Sequence, residues 1–142
     1  YGVADMTKWN KNIKDLSWKY VKELENKDSI SEFASSKKIQ LPELLIEFLA
    51  KNNGGRPNPS DIRTDRNTKY VFNELFSYNK KDKNSIYGMY SGMSDSDIKK
   101  LYPIGLTASG DFICFDLKKE KLIVINHETG AKESIVEIYN KE

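Results

Sequence analysis

The sequence has 142 residues, of which 38% are hydrophobic and 31% charged, a composition typical of one folded domain rather than of a disordered or fibrous chain. Its 23 basic and 21 acidic side chains give a net charge of +2, which excludes a strong electrostatic field for nucleic acid or an anionic membrane. One cysteine cannot close an internal disulfide, and neither a signal peptide nor an apolar run of roughly 20 residues is found, so the expected compartment is the cytoplasm.

The first predicted element is a long N-terminal helix. The sequence opens without a methionine, and we expect Tyr1 to Asp5 to be a tag or the remnant of a longer chain. Beyond them, apolar residues at steps of three and four form one stripe, which predicts a helix over residues 6–28 with Thr7 as its cap. The stripe consists of Trp9, Ile13, Leu16, Tyr20 and Leu24.

Two further helices are predicted before the middle of the chain. The first covers Ser29 to Ser36, where Ser29 and Glu32 have the spacing of a capping box. The second begins at the Leu41–Pro42 pair and carries apolar residues at helical spacing. Its end is predicted at Asn53, Gly54 and Gly55, which tolerate left-handed backbone.

The middle of the chain alternates polar connections with short elements. Two prolines and many small polar residues predict a long surface loop over residues 56–68. Aromatic and β-branched residues predict a strand over residues 69–78. A helical turn is predicted near Ser94 to Leu101, begun by Ser94 or Asp95, followed by a strand over residues 102–106.

The last third predicts strands. Two apolar runs, "FICFDL" and "KLIVIN", flank the charged loop "KKEK" and predict a hairpin, and "KESIVEIYN" follows as a third strand. Helices first and strands afterwards indicate an α+β fold. We therefore expect a single domain over residues 1–142, in which N-terminal helices pack on a mainly antiparallel sheet of about four to six strands.

The predicted hairpin holds the only cysteine and the only histidine, which raises the hypothesis of a thiol hydrolase. An even-length loop places Cys114 opposite Ile125 and leaves His127 as its diagonal neighbour on the same face, at roughly 7 to 8 Å. The acid that should orient the histidine is missing, because Asp116 lies beyond Cys114 on that face.

The other acids near His127 do not rescue the hypothesis, since alternation points Asp111 and Glu128 to the opposite face. The run "FICF" favours a buried, inert thiol over a reactive one. His127 is alone on its face near any acid, so we predict neither a metal nor any other cofactor. The expected protein is not an enzyme.

Several motifs, in order, resemble the SUKH superfamily, which includes bacterial toxin-immunity proteins and fungal cell-wall assembly regulators. They are "LPELLIEFLAKNNGG", "FNELFSY", "SIYGMY", "LYPIGLTASGDFICFDL" and "KLIVINHET", spanning roughly residues 30–129. The family-motif positions are Leu41, Pro42, Asn53, Gly54, Gly55, Gly110, Asp111, Asp116, Asn126, His127 and Glu128. Asn126 stands where the family commonly has aspartate, and the family's usual C-terminal helix does not follow Tyr139.

The resemblance implies a non-enzymatic immunity protein that binds and neutralises a cognate toxin, often a nuclease, without touching nucleic acid or membrane itself. Aromatic anchors and local acidic patches are the features that such binding needs. The candidate residues are Glu74, Tyr87, Tyr90, Asp95, Asp97, Tyr102, Asp111, Asp116 and Glu128, although each acid also suits a solvated or strand-capping position. An intracellular scaffold or regulator of the same fold is the alternative, and a thiol hydrolase the third. Sequence leaves the oligomeric state open.

Overall fold

The computed structural model describes residues 8–140 and confirms an α+β fold. Its helices are α1 (Lys8–Ile13), α2 (Ser29–Ser36), α3 (Glu43–Lys51), α4 (Ile86–Met89) and α5 (Asp95–Ile98). Its strands are β1 (Ser17–Lys19), β2 (Arg56–Asn58), β3 (Asp61–Thr64), β4 (Lys69–Leu75), β5 (Leu101–Thr107), β6 (Phe112–Asp116), β7 (Leu122–Ile125) and β8 (Lys132–Tyr139).

Strands β3 to β8 form one antiparallel sheet that closes on itself. Each strand pairs with the next along the chain, and β8 returns to pair with β3, so these six strands leave no open edge between first and last. The prediction of four to six mainly antiparallel strands is confirmed. A separate two-stranded sheet joins β1 to β2.

The main core lies between the closed sheet and the first three helices. Ile113, Phe115 and Val124 are fully buried on one sheet face, and the ring of Trp9 in α1 meets Phe115 edge-on at 6.2 Å. Leu45 in α3 is also fully buried in this cluster. Alternation places other side chains of the same strands on the second face, where a smaller cluster forms around Cys114.

Most predicted elements are confirmed within one or a few residues: α2, α3, β4, α5, β5, the β6–β7 hairpin and β8. Ser94 begins α5 as predicted, because its Oγ accepts a hydrogen bond from the Asp97 N–H at 3.2 Å. The capping box in α2 is wrong. Asp28 holds the N-cap position, and the Ser29 hydroxyl instead donates to the Asn26 carbonyl at 2.7 Å.

The predicted N-terminal helix over residues 6–28 is wrong beyond Ile13. The chain forms strand β1 instead, so that Trp18 pairs with Pro57 and its ring packs edge-on between Phe48 at 5.4 Å and Phe72 at 5.7 Å. Tyr20, a member of the predicted stripe, is 75% exposed. The predicted cap Thr7 and the first five residues lie outside the described part of the chain.

The predicted surface loop over residues 56–68 is also wrong, since it contains β2 and β3. Strand β3 is hydrogen-bonded on both sides, to β4 and to β8, and Ile62 at its centre is fully buried. Alternate burial along Asp61–Thr64 shows that this short run does have a strand period. A further helical segment that the sequence did not predict comprises α4 and a 3-10 turn over Tyr90–Gly92.

Candidate functional site

The acid and histidine of the family motif meet at one end of the closed sheet. Asp111 lies at the end of the β5–β6 turn, directly before β6, and is 1% exposed. Its Oδ2 accepts the Thr107 hydroxyl at 2.6 Å, and its Oδ1 accepts the His127 backbone N–H at 2.9 Å and lies 2.6 Å from the His127 Nδ1. Asp111 therefore ties the β5–β6 turn to the β7–β8 turn.

This pairing corrects the prediction that Asp111 and His127 face opposite ways. Alternation applies inside strands, but both residues lie just outside strand ends, where the backbone turns and either side chain can point inward. Gly110 makes the turn possible, because its φ of +93° is a conformation that residues with a Cβ avoid.

Each partner shifts the other's pKa. The hydrogen bond to Asp111 raises the pKa of His127 above its ordinary value of 6.5. Burial opposes ionisation of Asp111, but the hydrogen bonds from Thr107 and His127 outweigh it and lower the pKa of this carboxyl. The imidazole is half exposed, at 47%. This hydrogen-bonded pair of opposite charges can hold the β5–β6 and β7–β8 turns in one relative position.

Cys114 is fully buried in the smaller core cluster with Met93, Leu101, Ile123 and Ile125. Burial raises the pKa of its thiol, with a further contribution from Asp97, so the nucleophilic thiolate is disfavoured. The predicted burial of this thiol is confirmed. A fully buried thiol whose pKa is raised opposes a thiol hydrolase, although Asp111 does orient the imidazole of His127.

The predicted hairpin register is wrong by two residues. Cys114 pairs with Ile123, not Ile125, and Phe112 pairs with Ile125. The turn causes the shift: Asp116 accepts the Lys118 and Lys119 N–H groups, and Glu120 takes a left-handed φ of +52°. The four-residue turn thus covers residues 117–120 instead of 118–121, which places His127 two positions further from Cys114 along the hairpin.

The Asn-Gly-Gly motif after α3 joins three segments of backbone. The Asn53 side chain is 0% exposed; its Nδ2 donates to the Lys22 carbonyl at 2.9 Å and to the Ser77 hydroxyl at 3.2 Å, and its Oδ1 accepts the Tyr78 N–H at 2.8 Å. Gly54 has a φ of +67°. A Cβ on Gly55 would lie 2.9 Å from the Asn52 carbonyl oxygen, so this motif is structural.

The two remaining motif residues prepare the start of α3. Leu41 is buried in the main core. Pro42 takes the N-cap position, and its carbonyl accepts the N–H groups of Leu45 and Ile46. These residues fix where α3 begins, which in turn sets the position of Asn53 at its end.

A polar network next to Asn53 was not predicted. The Ser77 hydroxyl donates to Asp82 at 2.8 Å, and Asn79 accepts the Glu25 N–H at 2.9 Å while its amide donates to the Glu23 carbonyl at 2.8 Å. The network holds the segment before α2 against the end of β4. The signal that could have found it is the Asn-x-x-Asp spacing at Asn79 and Asp82, which is typical of a side-chain-stabilised turn.

Four tyrosines surround Phe33 of α2. Ring centroids lie 5.2 Å away for Tyr90, 5.4 Å for Tyr87, 6.0 Å for Tyr78 and 6.5 Å for Tyr102. Tyr102 is 0% exposed and its hydroxyl is bonded to that of Tyr78. Burial raises the pKa values of Tyr78 and Tyr102 well above the ordinary value for tyrosine. Most of these rings are therefore core.

A surface groove of about 480 Å³ opens above this cluster, and we call it the aromatic groove. Its walls include Glu25, Glu32, Lys37 and Lys80, and its floor Phe33, Tyr78 and Tyr87. Of the predicted aromatic anchors, only Tyr87 is half exposed, whereas Tyr90 is 7% exposed and lies under the Lys37 ammonium at 5.0 Å.

The predicted acids do not converge on one patch. Glu74 is 6% exposed and bonded to Arg56 at 3.4 Å and Asn84 at 3.2 Å. Asp95 is exposed at the start of α5, and Glu128 is exposed in the β7–β8 turn. Asp97 and Asp116 are brought together, since both line one groove beside β5 and β8.

Within residues 8–140, no set of three or more His, Cys, Asp and Glu side chains is placed to hold a metal ion. None of the helices in that part of the chain combines the length and apolar character that crossing a bilayer requires.

Comparison with known proteins gives one family match. The family model SUKH_6, described as SMI1-KNR4 cell-wall, matches residues 27–139. No curated protein and no solved structure matches significantly. The matched segment begins just before α2 and ends with β8, so it contains the closed sheet, the Asn53 motif and the pair of Asp111 and His127. The chain therefore belongs to the SUKH superfamily.

Proposed function

We propose that this protein is an immunity protein that binds and neutralises a cognate toxin of the cell that makes it. The observation that carries the proposal is the family match over residues 27–139, which covers the motifs that resemble the bacterial immunity proteins. Neutralisation requires a stable complementary surface and no chemistry by this protein. On this proposal the protein is not an enzyme and acts in the cytoplasm, where a self-directed toxin must be blocked.

The residues proposed to contact the toxin are those of the predicted set that are at least partly exposed. We propose that Tyr87 at the aromatic groove is the aromatic anchor, and that Asp95, Asp97, Asp116 and Glu128 make polar contacts. The buried members of the predicted set act indirectly by holding their neighbours: Glu74 through Arg56 and Asn84, Tyr90 beneath Lys37, and Asp111 through His127.

A regulatory binding domain of the same fold is the second candidate. The description of the matched family model refers to the cell wall, which favours this alternative. Gene neighbourhood distinguishes the two hypotheses. A toxin gene beside the gene for this protein supports immunity, and a gene without such a neighbour supports regulation.

The proposal is tested by co-expressing the protein with each toxin encoded beside its gene, and by measuring survival and direct binding. We expect one toxin to be neutralised and to co-purify. Tyr87→Ala should weaken binding about tenfold or more, as truncation of an aromatic anchor does, whereas the matched control Tyr20→Ala, at another exposed tyrosine, should not. Failure to bind or neutralise any neighbouring toxin contradicts the proposal.

A further inference from the structure

A second groove, of about 510 Å³, crosses the surface formed by strands β5 to β8, and we call it the lysine groove. Its apolar floor is Leu101 and Ile123, which pack with Cys114 in the smaller core cluster. Four lysines and three acids line it: Lys100, Lys119, Lys121, Lys132, Asp97, Asp116 and Glu133.

The acids of the lysine groove are already engaged. Asp97 is paired with the Lys132 ammonium at 3.0 Å. Asp116 Oδ1 accepts the Lys118 and Lys119 backbone N–H groups at 3.0 and 2.9 Å. Glu133 is 8% exposed and accepts the Thr64 hydroxyl at 2.5 Å. Each of the three carboxylates therefore already has a partner inside the protein, and that of Asp97 is a cation.

The other three lysines of the groove differ from Lys132. In the part of the chain that the structure describes, the ammonium groups of Lys100, Lys119 and Lys121 form no ion pair or hydrogen bond. Lys100 and Lys119 are exposed, and Lys121 is half buried. With four lysines and three acids the lining carries a net charge of +1, and the ammonium groups of Lys100, Lys119 and Lys121 are the ones placed to meet a ligand's carboxylates beside the apolar floor.

We propose that the lysine groove docks an acidic segment of a protein partner, with carboxylates on the three lysines and one apolar side chain on the floor. A protein segment fits better than nucleic acid, because none of the described residues that line the groove carries an aromatic ring for base stacking. The inference rests on the proposed function in naming the toxin as this partner.

The test uses the whole protein and a capped, glutamate-rich peptide with one central leucine, followed by backbone amide NMR shifts. We expect shifts at β5 to β8 around the lysine groove, and binding that weakens as salt rises. Replacing Lys100, Lys119 and Lys121 together by Gln should weaken the peptide's affinity about tenfold. The matched control replaces Lys27, Lys69 and Lys83, exposed lysines that do not line this groove, by Gln and should leave affinity unchanged.

Three results would overturn the inference: equal affinity for the two triple variants, equal binding of a peptide with Gln in place of Glu, or tighter binding of oligothymidylate than of the acidic peptide. Because the peptide experiment contains no toxin, the two proposals fail separately. A protein that neutralises a toxin but ignores the acidic peptide keeps the proposed function and loses this inference. Peptide binding without neutralisation keeps this inference and contradicts the proposed function.

Discussion

Replacing Asn53 by alanine should destabilise the protein more than any change of an exposed polar residue. The substitution removes three hydrogen bonds, to the Lys22 carbonyl, the Ser77 hydroxyl and the Tyr78 N–H. Ser77 keeps Asp82 as a partner, so two backbone groups lose theirs. An unsatisfied buried group costs about 1–3 kcal/mol, and we therefore expect the free energy of unfolding to fall by about 3 kcal/mol.

The assay is equilibrium unfolding in urea at constant pH, with Asn52→Ala as the matched control. Asn52 is the neighbouring residue, is 9% exposed, and its side-chain amide donates to the Phe48 carbonyl at 3.1 Å. Its replacement should cost about 1 kcal/mol or less.

Asn53 does not have this structural role if Asn53→Ala lowers the free energy of unfolding no more than Asn52→Ala does. The role is also refuted if the midpoint for Asn53→Ala falls only through a changed dependence on denaturant, because that would place the effect in the unfolded state. The result matters beyond stability. A loss of about 3 kcal/mol would show that the asparagine of the family motif is kept for folding and not for partner contact.

Three further outcomes are expected. Gly54→Ala should cost about 1 kcal/mol because φ is +67° there, whereas the control Gly88→Ala, in a helix with open space at its Cβ, should gain about 0.5–1 kcal/mol, both by urea unfolding. The pair of Asp111 and His127 should stabilise the protein fully between about pH 4 and 6.5. Because the pKa of His127 is raised in the folded protein, its contribution to the free energy of unfolding is lost as pH rises through that raised pKa. Because the pKa of Asp111 is lowered, its contribution is lost as pH falls through that lowered pKa. His127→Asn should abolish the loss of stability at alkaline pH, as measured by thermal melts. Cys114 should resist thiol reagents until the protein unfolds, and rapid native labelling would contradict its burial.

Much of the architecture was predictable because it is local. Helix α3 carries its own apolar period and its own stop residues, and the β6–β7 hairpin carries two apolar runs around a charged turn. The burial of Cys114 followed from its apolar neighbours. These features are written in short windows of sequence, where periodicity and turn chemistry act directly.

The errors occurred where distant contacts overrule local preference. The stripe in residues 6–28 has a helical period, yet the helix ends at Ile13 and Trp18, which is not part of the stripe, packs between Phe48 and Phe72, which are far away in sequence. Strand β3 looks like a polar loop because half of it faces outward, and only its pairing with β4 and β8 makes it a strand. Local propensity is worth less than such burial.

The sequence by itself determined the fold class, the family and the order of the motifs, because these depend on residue type and spacing. Only the tertiary structure decided which side chains meet. It joined Asp111 to His127 by bringing two turns together, separated both from Cys114, buried Tyr90 and Tyr102, and gathered Asp97 and Asp116 with the lysines of a groove. The physical reason is that turn geometry and sheet closure set those distances, and neither is encoded in any single stretch of chain.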